Sequence, residues 1–451
     1  MQIQKEGSHF HLTLLKAYKM KILFIENRYK TFFFDLVACQ LEKLGHEIFW
    51  IVQNPNFLPK TGDIKTIKFP PKFYQKKNNV DIADIINSDR QINYFKKKEL
   101  SYFYYYYHEI EQIVEEIKPN YVFGESTAFH ELLTIKICRD KEILFLHPTS
   151  CRYPAGRFSF YLYDTVFPYL GEHKKILKQD ALSIIEKIMS RSSKPDYMKK
   201  TSFKKIKILK DKIKILKGYA MGERFNTPNP IVKYRIEKQK KNNIENWDKH
   251  SVFELDKNKF SVVYPMHLQP EANIDVWGRP KRDQLETIKK LSANLEGNQL
   301  LYVKPNPKSK YELSIELLKF INETKNVKML HHSVSMDAIF NSSDLFITVN
   351  GTIALECIFS NKPVFTLVDV FFNKAKNCLF LKSFSDLQES ISKIKTDTFP
   401  TLSKDEKVDF LNLLNATSYT GVISDPYYSD YSVSKENINN VILAFNHILN
   451  K

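Results

Sequence analysis

Residues 344–367 read DLFITVNGTIALECIFSNKPVFTL, an order of residue types that few folds accommodate. Residues 345–348 are apolar or β-branched, a small-residue turn follows at Asn350, Gly351 and Thr352, and Ile353, Leu355, Ile358 and Phe359 then recur at helical spacing. After Asn361, Lys362 and Pro363 a second apolar run begins. The pattern predicts strand, tight turn, helix, strand, which is the repeating unit of a parallel sheet. A glycine at such a turn lets backbone N–H groups approach a ligand, and the helix that starts beside it presents a positive dipole end to an anion such as a phosphate. Glu356 falls about one turn into that helix, within reach of a ribose hydroxyl. An ordinary βαβ unit in which Gly351 only makes the turn would show the same residues, so the segment defines a topology and leaves the ligand open.

The rest of the chain repeats this alternation. Residues 21–26 form an expected strand, 31–44 an amphipathic helix closed by Gly45, and 47–52 a second strand, the usual opening of a doubly wound α/β domain. The first turn, Asn27-Arg28-Tyr29-Lys30, lacks the GxGxxG fingerprint, which removes most support for a dehydrogenase. Residues 53–100 read as loops with short helices, and the aromatic run YFYYYYHEIEQIVEEIKP as a helix with a buried flank rather than a stacking surface. Ligand-binding groups in open α/β sheets sit at the carboxyl ends of strands. The strand at 121–124 delivers Glu125, Ser126 and Thr127, with His130 and Glu131 on the next helix. The strand at 144–146 delivers His147 and then a loop with Arg152 and Arg157, which suit an anionic substrate or are surface arginines of a connection.

A second α/β domain starts near residue 259. Its first strand, 260–264, runs into PMHLQPEANIDVWG, where His267, Gln269 and Glu271 stand at alternate positions. A His and a Glu held close can share acid, base and hydrogen-bonding work on a sugar hydroxyl or phosphate, or can fix the loop internally. The strand at 299–303 ends in Lys304-Pro305-Asn306-Pro307-Lys308, with lysines available for phosphate charge. The strand at 327–330 ends in His331-His332-Ser333, and Ser335 is placed to cap the helix that follows.

Bulk numbers bound the rest. At 451 residues two domains are expected. The net charge of +17 calls for an acidic partner, whether membrane surface, anionic substrate or nucleic acid. Residues 173–217 hold fifteen Lys or Arg against four Asp or Glu, giving either a docking surface for anionic lipids or a solvated basic helix. The five cysteines (Cys39, Cys138, Cys151, Cys357, Cys378) are far apart and form no CxxC pair, which disfavours a zinc site or a disulfide framework and fits a reducing cytoplasm. No stretch of about 18 uncharged apolar residues predicts a membrane span. HFHLTLLKAY lacks the core and cleavage site of a signal peptide, so residues 1–19 read as a non-core extension.

The combination resembles bacterial capsule and lipopolysaccharide glycosyltransferases of the GT-B type. The matching pieces are HLQPEANIDVWG (267–278), YVKPNPKS (302–309) and SDLFITVNGTIALECIFSNKPVF (343–365), with FGEST and HPTSCRYPAGRF in the first half. Within that group the chain resembles the capsule enzymes that include β-Kdo transferases, which implies a CMP-linked ulosonic acid as donor. Those enzymes carry His-Pro where this chain has Asn306-Pro307, so a UDP-sugar donor stays open, and Asp164 in FYLYDT occupies the region of their acidic motif.

The resemblance implies an α/β fold of two Rossmann-like domains facing each other across a cleft. Residues 20–250 would form the acceptor domain, with a basic helical insertion at 173–217, residues 251–425 the donor domain, and 426–451 a C-terminal helix. It implies Glu125, His267, Glu271 and Asp164 as catalytic groups. Gln269, Lys304, Asn306, Ser335, Asn350, Gly351, Thr352 and Glu356 would bind the nucleotide donor, and His147, Arg152 and Arg157 a glycan or glycolipid acceptor. No metal or other cofactor is expected, nor nucleic acid, and the expected location is the cytoplasm, with peripheral contact to the inner membrane face. A nucleotide-sugar epimerase and a non-catalytic membrane-binding protein are the alternatives.

Overall fold

The computed structural model describes residues 19–71, 74, 80–192, 205–426 and 429–451. Residues 1–18 of the expected extension and 193–204 of the basic segment lie outside them. Among the described residues the strands of the first half are β1 (Lys21–Ile25), β2 (Glu47–Val52), β3 (Asp63–Thr66), β4 (Tyr121–Phe123), β5 (Leu144–Ser150) and β6 (Arg157–Leu162). Those of the second half are β7 (Phe260–Pro265), β8 (Gln299–Lys304), β9 (Val327–Met329), β10 (Leu345–Thr348), β11 (Val364–Thr366) and β12 (Cys378–Phe380).

The second sheet runs β12-β11-β10-β7-β8-β9, with every pair parallel. The first sheet is parallel from β3 through β2, β1 and β4 to β5. There β6 turns back antiparallel, and a late two-residue strand, β13 (Tyr419–Thr420), pairs antiparallel with it. This is the expected α/β fold of two Rossmann-like sheets. Continuous apolar runs such as Ile22, Leu23, Phe24 and Ile25 are fully buried because helices cover both faces.

On one face of the first sheet, Phe33, Phe34, Val37 and Leu41 of the helix Thr31–Lys43 pack with Val441, Phe445 and Ile448 of the terminal helix Lys435–Leu449. On the other, Tyr102, Phe103, Tyr106, Ile110 and Val114 of the helix Ser101–Ile117 pack against Phe129, Leu132 and Leu133. The aromatic run is therefore core.

Two segments cross between the halves in a way the linear division at residue 250 does not convey. The helix Lys178–Met189 lies on the second domain, its stripe of Ala181, Ile185 and Ile188 buried against the helices Ile353–Ser360 and Lys404–Ala416. Its apolar face is covered by protein, which leaves the lipid-docking expectation to the later part of the basic segment. Conversely, β13 and the terminal helix return to the first sheet. One strand lies where loops were expected, the edge strand β3 of four residues, and β6 begins at Arg157, the last residue of the expected arginine loop, with Phe158 and Phe160 buried in the core.

Candidate active site

The loops that leave β1 and β4 meet the loop that leaves β7, so the carboxyl ends of the two sheets face a common cleft. A cavity of about 250 Å³ opens there, lined by Glu26, Arg28, Arg90, His130 and Asn226 on one side and by Glu271 and Asp275 on the other. Its floor is charged. Arg28 and Arg90 each donate from Nη2 to the carbonyl oxygen of Asn226, at 2.7 and 2.8 Å, so two guanidinium groups converge on one point. Burial, aided by the neighbouring Arg28 charge, brings the Arg90 pKa down to about 10.

Glu26, 1% exposed, accepts from the backbone N–H groups of Arg28 at 2.6 Å and Asn54 at 3.0 Å. Burial still pushes its carboxyl above the usual range, against the pull of His130. His130 accepts from Asn226 Nδ2 at 3.2 Å on Nδ1 and therefore donates from Nε2 to the Glu26 carbonyl at 2.7 Å. Arg28 holds φ at +44°, a left-handed conformation that residues other than glycine adopt uncommonly.

Beside this cavity lies the wall formed by the first domain. Glu125 is buried and receives Lys30 Nζ at 2.6 Å. Burial raises its pKa and the Lys30 ammonium opposes the rise. Glu131 caps its own helix, accepting from Ala128 N–H at 2.8 Å, Thr127 N–H at 3.0 Å and Asn27 Nδ2 at 2.8 Å. His147 donates from Nε2 to the Thr165 carbonyl at 2.8 Å, and its ring stacks on Trp277 at 5.5 Å. Trp277 belongs to the loop after β7 and donates to Ser126 Oγ at 3.0 Å, so it closes the cleft between the two domains.

The turn after β10 follows the expected strand–turn–helix order, with the Gly351 N–H taken by a side chain of the protein itself. Gly351 N–H donates to Thr348 Oγ1 at 3.0 Å, and Thr348 Oγ1 lies 3.1 Å from His267 Nε2. A Cβ on Gly351 would stand 2.5 Å from Thr348 Oγ1 and 3.5 Å from His267 Cε1, so only glycine fits. Asn350 donates to the Asn273 carbonyl at 2.6 Å, while its Oδ1 is buried without a partner. Thr352 starts the helix Ile353–Ser360 and makes no side-chain capping bond. Lys304 is buried, donates from Nζ to the carbonyls of Pro305 at 3.0 Å and His332 at 3.1 Å, and has its pKa lowered to about 8 by burial.

His267 and Glu271 do not pair among the described contacts. His267 is turned toward Thr348, whereas Glu271 is exposed and lines the mouth of the cavity. Gln269 is a strut, donating to Asp275 Oδ1 and the Arg282 carbonyl at 2.9 Å each. Glu356 does not point to an open ribose site, because Arg152 and Arg191 both place a guanidinium on its carboxylate. Arg152 is thus spoken for across the domains.

Asp164 is a brace rather than a nucleophile. Arg139 and Arg279 hold its two oxygens at 2.5 Å each, and although burial raises its pKa, the two guanidinium charges outweigh that and leave it below the usual range. Arg157 faces away from the cleft, donating to Ser418 Oγ at 2.7 Å and to the carbonyls of Ser418 at 2.7 Å and Asn415 at 3.1 Å. Ser335 caps its short helix through Ala338 N–H at 3.2 Å, and Asn306 accepts from Lys308 N–H at 2.9 Å within its own turn. Both are local structural roles.

Two Rossmann-like domains with strand ends opposed over a polar cleft define the GT-B architecture. No family model and no curated protein matches the sequence. Among solved structures, similarity extends to the UDP complex of MnaA from S. aureus, at 13% identity over 96% of this chain and 97% of that one with a TM-score of 0.29. It extends also to UDP-GlcNAc 2-epimerase from Neisseria meningitidis bound to UDP-GlcNAc, at 12% identity over 88% and 99% with a TM-score of 0.29. A third is KpsC of Thermosulfurimonas dismutans, a β-Kdo 2,7 transferase, at 13% identity over 76% and 89% with a TM-score of 0.34. Likenesses this distant assign no chemistry to the chain, which has to come from the site itself.

Proposed function

We propose that the protein is a glycosyltransferase that moves an anionic sugar, of the CMP-linked ulosonic acid class, from a nucleotide donor to a glycan or glycolipid acceptor. The observation that carries this reading is the convergence of Arg28 and Arg90 on one carbonyl inside the cleft. A paired guanidinium fork matches the geometry of a sugar carboxylate or a phosphate far better than that of a neutral hexose. The donor phosphate lies at the Gly351 turn, where the helix start and Lys304 stabilise the departing nucleotide, and the unpartnered Asn350 Oδ1 accepts a donor hydroxyl or amino group. Glu125, held by Lys30, takes the proton of the acceptor hydroxyl. With charge on the leaving group met by lysine and helix dipole, the transfer step as proposed calls on no metal.

The test is a thermal-shift panel on the full chain with CMP, CDP, UDP, GDP and ADP, followed by product analysis with the nucleotide sugar that scores. A ligand that binds the native state raises the melting temperature by mass action. A shift with CMP alone, and sugar transferred only when acceptor is present, is the expected result. A shift with UDP moves the donor to a neutral hexose. Donor converted in the absence of acceptor replaces transfer by epimerisation.

A further inference from the structure

We propose that Asp248, His331 and His332 form a binding site for a divalent transition metal of the zinc class, an inference independent of the transfer reading. Among the described residues, these three are the one group of His, Cys, Asp and Glu side chains whose donor atoms all lie within 4.8 Å of one another. Tetrahedral ligands at 2.0–2.1 Å from an ion stand about 3.4 Å apart, so the arrangement needs only small side-chain movements to close on one. His331 Nε2 is already 3.6 Å from Asp248 Oδ1, and His332 Nδ1 donates its proton in a hydrogen bond to Asp248 Oδ2. A bound ion takes the place of that proton.

The backbone holds the three donors in register. Asp248 lies at the end of the helix Pro230–Lys249, and the histidines follow β9. Trp247 Nε1 donates to the Leu330 carbonyl at 2.8 Å, Val252 N–H to Met329 at 2.8 Å, and His331 N–H to Val252 at 2.9 Å. The ring of His331 stacks on Phe253 at 4.5 Å, and its Nδ1 stands 2.7 Å from Ser333 Oγ. The Ser333 N–H donates to that same Nδ1 at 3.2 Å, so metal binding at Nε2 moves the ring proton to Nδ1, where Ser333 Oγ accepts it as the kind of outer partner that metal-bound histidines have.

Two imidazoles and one carboxylate suit Zn²⁺ or Co²⁺ with water completing the shell, whereas Mg²⁺ and Ca²⁺ demand more oxygen ligands. An ion here pins the helix that joins the two halves to the edge of the second sheet. The same edge holds Lys304, which donates to the His332 carbonyl at 3.1 Å. The cysteine spacing that argues against a zinc site is silent on a set that contains no thiol.

The experiment is calorimetric titration of the chelator-stripped, untagged full chain with Zn²⁺, and with Co²⁺ followed by its visible absorption. One ion per chain is expected, with a rise in melting temperature and no saturable uptake of Mg²⁺. Asp248→Asn and His331→Gln should each weaken binding at least tenfold, and His108→Gln, on a helix of the first domain, should bind as the parent does. Absence of saturable Zn²⁺ and Co²⁺ uptake by the unmodified chain overturns the proposal whether or not the variants fold. Retention of one tight ion by the Asp248→Asn, His331→Gln double variant overturns it too.

Discussion

Lys30 donates to the carboxylate of Glu125 at 2.6 Å, joining the turn after β1 to the loop after β4 at the edge of the cleft. Burial raises the Glu125 pKa, which makes it a better base near neutral pH, and Lys30 keeps it ionised. Glu125→Gln preserves the shape and removes the base. It should lower kcat by about 10²- to 10⁴-fold while the nucleotide-induced thermal shift persists. Lys30→Met removes the opposing charge, so the acidic limb of the pH–kcat profile should move to higher pH. Parent-like turnover in Glu125→Gln would remove this residue from the chemistry.

Arg152 comes from the loop after β5 and Arg191 from beyond the helix Lys178–Met189, yet both meet Glu356. The Arg152 and Glu356 side chains are each 7% exposed, so this is a buried ion pair between domains. Removing one charge from such a group leaves the others unpaired, which costs about 3–5 kcal/mol, whereas replacing the partners together by apolar side chains costs far less. Glu356→Gln should therefore lower the urea midpoint sharply, and Arg152→Met with Glu356→Leu should recover much of the loss. A Glu356→Gln protein of parent stability that has lost nucleotide affinity would restore the ribose role that its place in the sequence implies.

This ion pair also shows where local pattern stops being informative. The periodicity of residues 345–367 maps directly onto β10, the helix Ile353–Ser360 and β11, because strand and helix periods are local properties. The strand-end rule likewise set Glu125 and His267 just past β4 and β7 and Lys304 at the end of β8, since strands of a parallel sheet deliver their ends to one side, whereas His147 lies inside β5, which runs on to Ser150. What Glu356 touches depends on residues 204 and 165 positions away. Arg28 and Arg90 meet Asn226 over 198 and 136 positions, and Arg90 sits in a stretch with no periodic signal at all. Trp277 stood inside a conspicuous motif, but its role as the plug against His147 and Ser126 needs the two domains in place.

The Gly351 turn offers a cleaner test of the donor side. An alanine Cβ would meet Thr348 Oγ1 at 2.5 Å, and that oxygen belongs to a β-branched side chain with little freedom to retreat. Gly351→Ala should cost about 1–3 kcal/mol of stability and most of the nucleotide-induced thermal shift. Thr348→Ala removes the obstructing hydroxyl. In the double variant stability should return while affinity does not, because the Gly351 N–H and His267 lose their shared partner. Additive losses in the cycle would show that the close approach of Gly351 to Thr348 is not what limits the site.

Burial brings the pKa values of His147 and His267 down to about 4 from the ordinary 6.5. The Thr165 carbonyl and Asp164 pull His147 back up and Lys30 pushes it further down, while His267 is shifted by burial alone. A base whose folded pKa is depressed supports the native state fully above 6.5 and loses that support as pH falls toward 4, because the unfolded chain takes up the proton first. The loss from each ring should reach about 2 kcal/mol at pH 5. Glu26 and Glu125, whose pKa values burial raises, act in the opposite sense over an overlapping range. The informative quantity is therefore the difference between proteins. Urea midpoints measured from pH 8 to 5 should fall less steeply for His147→Gln and for His267→Gln than for the parent, and least for the two combined. Parallel curves for all four proteins would mean that these rings reach water in the native state.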